Sequence, residues 1–305
     1  MYDKTDSMYR REFLQAALAF AAAPSMPGRL PIFTAVEYSM LPESATIAER
    51  FQIGRDAGFE RVECPTTPDQ PQAESMKNAA EKTGLKIHSV MNMGHWKYPL
   101  SSPDPAIVQK SIEGIKTSLH NAQFWGADTV LIVPAVVDAN TSYRDAYTRS
   151  QANIRKLLPL AEELRVILAV EEVWNKFLLS PIEFARYIDE FQSPWVRAYF
   201  DVGNVVLYGY PQDWIRTLGK RIVKLHIKDF SFRDDPVTKK RVAEWVPLGE
   251  GDIDWKAIYS ALAQIGFRGT ATVELPGGDA AYLKETCRRL NLILNGSDLG
   301  TGQRT

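Results

Sequence analysis

One pattern limits this chain more than any other: a short apolar or β-branched run, then a longer helix-patterned segment, repeated along the body. The runs lie at 32–38, 61–64, 86–91, 129–135, 166–173, 196–202, 222–229 and 270–275. Amphipathic segments at 45–57, 73–83, 105–124, 143–164, 181–191 and 255–265 fall between them. Gly58, Gly84, Gly126, Gly219 and Gly266 stand where these helices must end, the place for a left-handed cap. Alternation of this kind implies right-handed parallel crossovers, and eight of them close a barrel. A (β/α)8 TIM barrel of about 250 residues would absorb nearly all of the body. The expectation is an α/β chain with a single barrel domain at 29–297, preceded by a signal-like segment at 1–28 and followed by a tail at 298–305.

Composition narrows the function. A formal net charge of −1 provides no field for gripping nucleic acid or an anionic membrane. After the first thirty residues no apolar run is long enough to span a bilayer. Cys64 and Cys287, the two cysteines, cannot build a disulfide framework or a thiolate zinc site. No nucleic acid and, for the mature form, no membrane is therefore expected as a partner. Self-association through helix faces carrying Trp125 or Trp214 would give a homo-oligomer.

The amino terminus has its own message. Arg10-Arg11 precede Phe13-Leu14, a small apolar stretch at 16–23 and a Pro/Gly boundary at 24–28. This resembles a twin-arginine export signal, which implies a periplasmic location.

The strands of such a barrel are covered by helices and should be apolar on both faces, yet several alternate. Lys224, His226 and Lys228 share one face of their strand. Arg197, Tyr199 and Asp201 do the same, as do Thr270, Thr272 and Glu274, Arg61 and Glu63, and Lys86 and His88. The apolar faces must meet the helices, so the polar faces turn inward. Charges placed there need partners or a metal. At the carboxyl ends of strands five to eight, where barrel sites lie, stand Glu172, Asp201, His226 and Glu274. Three carboxylates and one imidazole suit a single divalent ion, Mn²⁺ first, with Mg²⁺, Co²⁺ or Zn²⁺ also compatible.

These strand ends carry a resemblance. Val170-Glu171-Glu172-Val173-Trp174-Asn175, Tyr199-Phe200-Asp201-Val202-Gly203-Asn204, Val223-Lys224-Leu225-His226-Ile227-Lys228-Asp229, Val273-Glu274-Leu275 and the turn 248–255 resemble the xylose isomerase-like sugar isomerase/epimerase superfamily. The likeness implies that Glu172 and Glu274 bind metal and exchange protons with a sugar, while Asp201 and His226 only coordinate. It also implies the chemistry: proton transfer next to a carbonyl, through an enediolate whose charge a divalent cation stabilises. Epimerisation and aldose–ketose isomerisation both follow from that step. Glu171 is read as a structural charge on the outer strand face.

The pattern is departed from in places. Asn204 replaces a histidine common three residues after the strand-six Asp, and Leu178 replaces a glutamate six residues after the strand-five Glu. Phe232 stands where 3-epimerases place a substrate-binding Arg, with Arg233 one step beyond. A modified, larger or oxidised sugar fits these changes. Candidate substrate contacts are His95, Trp96, Asn204, Lys228, Arg233, Glu63 and His88, with Lys228 also able to pair with Glu250 or Asp229. The alternatives are a lyase or dehydratase using the same metal site and a non-catalytic periplasmic sugar-binding protein. Four histidines and a net charge of −1 exclude a multi-zinc DNA-repair enzyme.

Overall fold

The computed structural model describes residues 28–239, 241–297 and 299. Eight parallel strands close a barrel: β1 (Ile32–Glu37), β2 (Arg61–Pro65), β3 (Lys86–Met91), β4 (Thr129–Ile132), β5 (Ile167–Glu171), β6 (Val196–Asp201), β7 (Ile222–Ile227) and β10 (Gly269–Val273). Spatial order follows chain order, and β1 closes the ring against β10 over the register Ile32↔Gly269 to Val36↔Val273. Strands β8 (Asp229–Asp234) and β9 (Arg241–Val246) form a separate antiparallel hairpin. The twin-arginine motif and the segment around it lie outside the described residues.

Outer helices start and stop where side chains satisfy their free backbone groups. Thr46 opens α1 (Ile47–Asp56) with a reciprocal capping box to Glu49. Asp69 and Asp104 cap α2 (Gln70–Thr83) and α3 (Pro105–Trp125), which end at left-handed Gly84 and Gly126. The segment expected as one helix at 143–164 is two, α4 (Tyr143–Arg155) and α5 (Leu158–Leu164). Pro159 is the physical reason, since it has no N–H to continue the hydrogen-bond ladder from the preceding turn. Helices α6 (Pro181–Asp189), α7 (Pro211–Leu218), α8 (Trp255–Ile265) and α9 (Ala280–Leu294) complete the ring.

The main core lies between strands and helices. Val62, Val130, Leu168, Val170, Ala198, Phe200, Leu225, Ile227 and Val273 face outward into it. The barrel interior has only a small apolar cluster of Met91, Leu131, Val133, Ala169 and Tyr199. The rest is polar, as the alternation requires: Glu63, His88, Ser89, Lys224, His226 and Thr272 are all buried. Lys86 is an exception: it is exposed, because it opens its strand at the barrel's amino-terminal rim. Arg197 is likewise near the rim and donates to the Ser193 carbonyl at 2.8 Å. The register of β2 against β3 shifts between Val62 and Glu63, so that Glu63 pairs with Ser89. This irregularity brings both His88 and Ser89 inside, where His88 Nε2 meets Thr272 Oγ1 and Ser89 Oγ meets Glu63. Trp125 and Trp214 are buried in the core, so neither offers a face to a second subunit.

The turn 248–255 serves the fold. Asp229 Oδ2 accepts from Gly249 N (2.8 Å), Gly251 N (3.2 Å) and Trp255 Nε1 (3.0 Å). A Cβ at Gly251 would collide with the Asp229 carboxylate and the Phe230 carbonyl. Gly251→Ala is expected to lower unfolding free energy by about 1–3 kcal/mol, measurable by urea denaturation.

Candidate metal and sugar site

Glu171, Asp201, His226 and Glu274 meet at the carboxyl ends of β5, β6, β7 and β10. Each offers one ligand atom, and these atoms all lie within 4.8 Å of one another. His226 Nδ1 is 2.8 Å from Glu171 Oε1, 3.1 Å from Glu274 Oε2 and 3.8 Å from Asp201 Oδ2. Asp201, His226 and Glu274 thus stand where the sequence placed them, and Glu172 does not.

The correction at β5 is one of face. Leu168 and Val170 pack outward, Ala169 packs inward and Ile167 leans on the inner cluster. Glu171 has the inward parity, and Glu172 the opposite one. Glu172 is buried nonetheless, and neither of its carboxyl oxygens has a hydrogen-bond partner among the described residues. Burial, with Asp201 nearby, raises its pKa well above the ordinary range.

Two members of the cluster, Asp201 and His226, are held from behind. Asp201 Oδ1 accepts from the backbone of Gly203 (2.7 Å) and Asn204 (2.9 Å), which leaves Oδ2 for the cluster. His226 Nε2 lies 2.6 Å from Glu63 Oε2. Glu63, fully buried, also takes Ser89 Oγ at 2.5 Å and Tyr199 OH at 3.2 Å. A proton on Nε2 shared with Glu63 would leave Nδ1 free to face the carboxylates, the arrangement that fixes a metal-binding imidazole. Glu63, expected to touch substrate, instead sits behind His226. Glu63→Ala is expected to weaken Mn²⁺ binding about 10- to 100-fold, read by calorimetric titration.

The other sequence candidates divide by place. Lys228 is buried, with Nζ 2.7 Å from Asp201 Oδ2 and 2.6 Å from Glu274 Oε2, so it pairs with neither Glu250 nor Asp229. Asn204 Nδ2 donates to the Glu172 carbonyl at 3.0 Å, a structural bond. His95 and Trp96 lie together on the loop after β3, ring centroids 5.1 Å apart, with His95 Nδ1 3.1 Å from the Asn92 carbonyl. His88 is buried in the barrel with Nε2 3.0 Å from Thr272 Oγ1, and it is not a member of the mouth cluster. Arg233 points away: it is exposed on the hairpin and paired with Glu244. The chain leaves the barrel after Ile227 to make that hairpin, so spacing from His226 no longer measures position in the mouth.

The xylose isomerase-like TIM barrel family matches residues 51–292. The chain belongs to that family. Among its relatives, L-ribulose-5-phosphate 3-epimerase UlaE of Escherichia coli O1:K1 / APEC is 26% identical over 246 residues, covering 77% of this chain and 84% of the relative. A D-psicose 3-epimerase from Clostridium cellulolyticum H10, solved with D-tagatose, superposes with a TM-score of 0.68 at 18% identity, over 87% of this chain and 98% of that one. A xylose isomerase-like TIM barrel protein from Mycobacterium smegmatis, solved in complex with magnesium, gives 0.67 at 18% identity, over 87% and 97%.

In this family member the cluster is electrostatically uneven. Burial pushes the Glu171 carboxyl up to about 8, against the pull of His226. Burial would raise Glu274 too, but Lys228 and His226 outweigh it and hold that carboxyl well below the ordinary range. His226 shows the reverse balance: burial lowers its pKa, and Glu274, Tyr199, Glu63 and Glu171 together raise it. Glu37, at the end of β1, is pushed up to about 7 by burial and by Glu274. It was missed in the sequence, although it shares inward parity with Ala35. The side chains of Glu171, Asp201 and His226 are almost fully enclosed, whereas Glu274 is 26% exposed. Glu274 is thus the member whose side chain reaches toward solvent, although its Oε2 is buried.

Proposed function

We propose that this chain is a divalent-metal-dependent sugar isomerase or epimerase, with Glu171 and Glu274 as its proton-transfer pair. The observation that carries this reading is the convergence of three carboxylates and His226 Nδ1 within 4.8 Å. That donor set fits a hard divalent ion, Mn²⁺ or Mg²⁺ above all, and Glu171, Asp201, His226 and Glu274 would hold it. When bound, the ion supplies positive charge that makes a C–H beside a sugar carbonyl more acidic.

The protein's own groups do the rest. One carboxylate of the Glu171–Glu274 pair takes the proton from carbon, and the other returns one to the opposite face, inverting the centre. Return by the same carboxylate to the neighbouring carbon gives an aldose–ketose isomer instead. Lys228, 2.6 Å from Glu274, keeps that carboxylate ionised and offers N–H donors to a sugar oxygen. The 3-epimerase relatives support the sugar class, and the magnesium-bound one supports a divalent ion.

The test is incubation of Mn²⁺-loaded protein with ketoses and ketose phosphates in D₂O. Deuterium gained at a carbon next to the carbonyl, together with an epimeric or isomeric product, is the expected result. Binding with no exchange would leave a sugar-binding protein, and loss of water from the sugar would leave a dehydratase. We further propose export through the twin-arginine motif, which cell fractionation of the wild type against Arg10→Lys/Arg11→Lys would test.

A further inference from the structure

The hairpin β8–β9 carries aromatic side chains back toward the site. Phe230 is buried, yet two exposed indoles lie against its ring. Trp245 lies 4.5 Å from it, centroid to centroid, and is 47% exposed; Trp174 lies 5.3 Å away and is 42% exposed. Neither indole is a loose surface residue. Trp174 Nε1 is bonded to the Asn204 carbonyl at 3.1 Å, and Trp245 has Lys228 Nζ over its ring at 5.3 Å. The same Nζ touches Asp201 and Glu274. The contacts therefore run without a break from the candidate metal cluster through Lys228 and Trp245 to Phe230 and Trp174.

A rigid aromatic wall that stays open to solvent signals a ligand, because these side chains gain from being covered. The Trp174 N–H is already spent on the Asn204 carbonyl, and both indoles present flat apolar surface. The C–H face of a sugar ring matches such a surface, while its hydroxyls can point to water. A phosphate does not match. Lys228, over the wall, is engaged with Asp201 and Glu274, and Arg233 is engaged with Glu244 on the outside of the hairpin. We infer that Trp174 and Trp245 form a subsite for a second sugar ring, and that the substrate is a glycosylated ketose or keto-glycoside rather than a free or phosphorylated monosaccharide. This rests on the reading that the sugar reacts at the Glu171–Glu274 cluster, and it adds which sugars reach it.

The probes are D-fructose, D-fructose 6-phosphate and three glucosyl-fructoses of different linkage: isomaltulose, turanose and leucrose. Calorimetric titration of Mn²⁺-loaded protein is expected to show at least one disaccharide binding about tenfold or more tighter than fructose, an apolar-contact gain near 1.4 kcal/mol. Trp245→Ala and Trp174→Ala are expected to collapse that ratio, and Trp245→Phe to restore most of it. A wild-type ratio near one, no disaccharide binding, tighter binding of the phosphate, or a ratio unchanged in both alanine variants would overturn the subsite. Deuterium exchange run alongside separates the two claims. A disaccharide preference with no exchange into any sugar would sink the catalytic reading and leave the subsite standing.

Discussion

Glu171→Gln is expected to abolish turnover, and Glu172→Gln to leave the metal site intact. Glu171 places Oε1 2.8 Å from His226 Nδ1, and in the proposed mechanism it is one half of the proton-transfer pair. Its amide would bind an ion weakly and could not carry a proton. The expected loss in solvent exchange is about 10³-fold or more, since positioned acid–base groups alone contribute about 10²- to 10⁴-fold. Glu172 contributes no atom to the cluster, and burial pushes its carboxyl well above the ordinary range. An isosteric amide there should shift Mn²⁺ affinity by less than about threefold, well under 1.4 kcal/mol. Calorimetry for the metal and deuterium exchange for the chemistry, run on both variants, would settle the pair. The opposite outcome, with Glu172→Gln the dead variant, would return the site to the other face of β5.

That pair of neighbours shows what the sequence could and could not reveal. The eight strands were legible because each is a short apolar run bounded by caps and glycines. The inward polar face was legible because charge alternates on it at period two. Asp201, His226 and Glu274 follow from that alternation. At β5 the alternation disappears: Leu168, Ala169 and Val170 are all apolar, so nothing local says which of two adjacent glutamates turns inward, and one step exchanges the faces. The small side chain of Ala169, suited to a crowded interior, was the usable signal. The hairpin was hidden for another reason. Residues from Lys228 onward continue the strand-like pattern of β7, and only the pairing Asp229↔Val246 shows that the chain has left the barrel. Glu63 was placed in the right interior with the wrong neighbour, because strand parity cannot tell a mouth residue from one a layer deeper.

Removing the ion is expected to cost stability as well as activity. Three carboxylates packed around one imidazole repel each other, with Lys228 the ammonium that offsets them directly. Mn²⁺ at about a thousand times its dissociation constant adds about 4 kcal/mol to the folded state. For a barrel of this size that is a rise in Tm on the order of 10 °C. Scanning calorimetry of EDTA-treated protein, with and without added Mn²⁺, should show the rise in wild type. It should shrink to within about 2 °C in Asp201→Ala, which lacks the ligand. A shift of equal size in that variant would mean that the ion binds elsewhere.

Anomalous diffraction from crystals soaked in Mn²⁺ addresses the core of the account. One peak at the mouth of the barrel is predicted, bonded by Glu171, Asp201 Oδ2, His226 Nδ1 and Glu274. An empty cluster, or a peak bonded by Glu172 with Glu171 turned away, would contradict it.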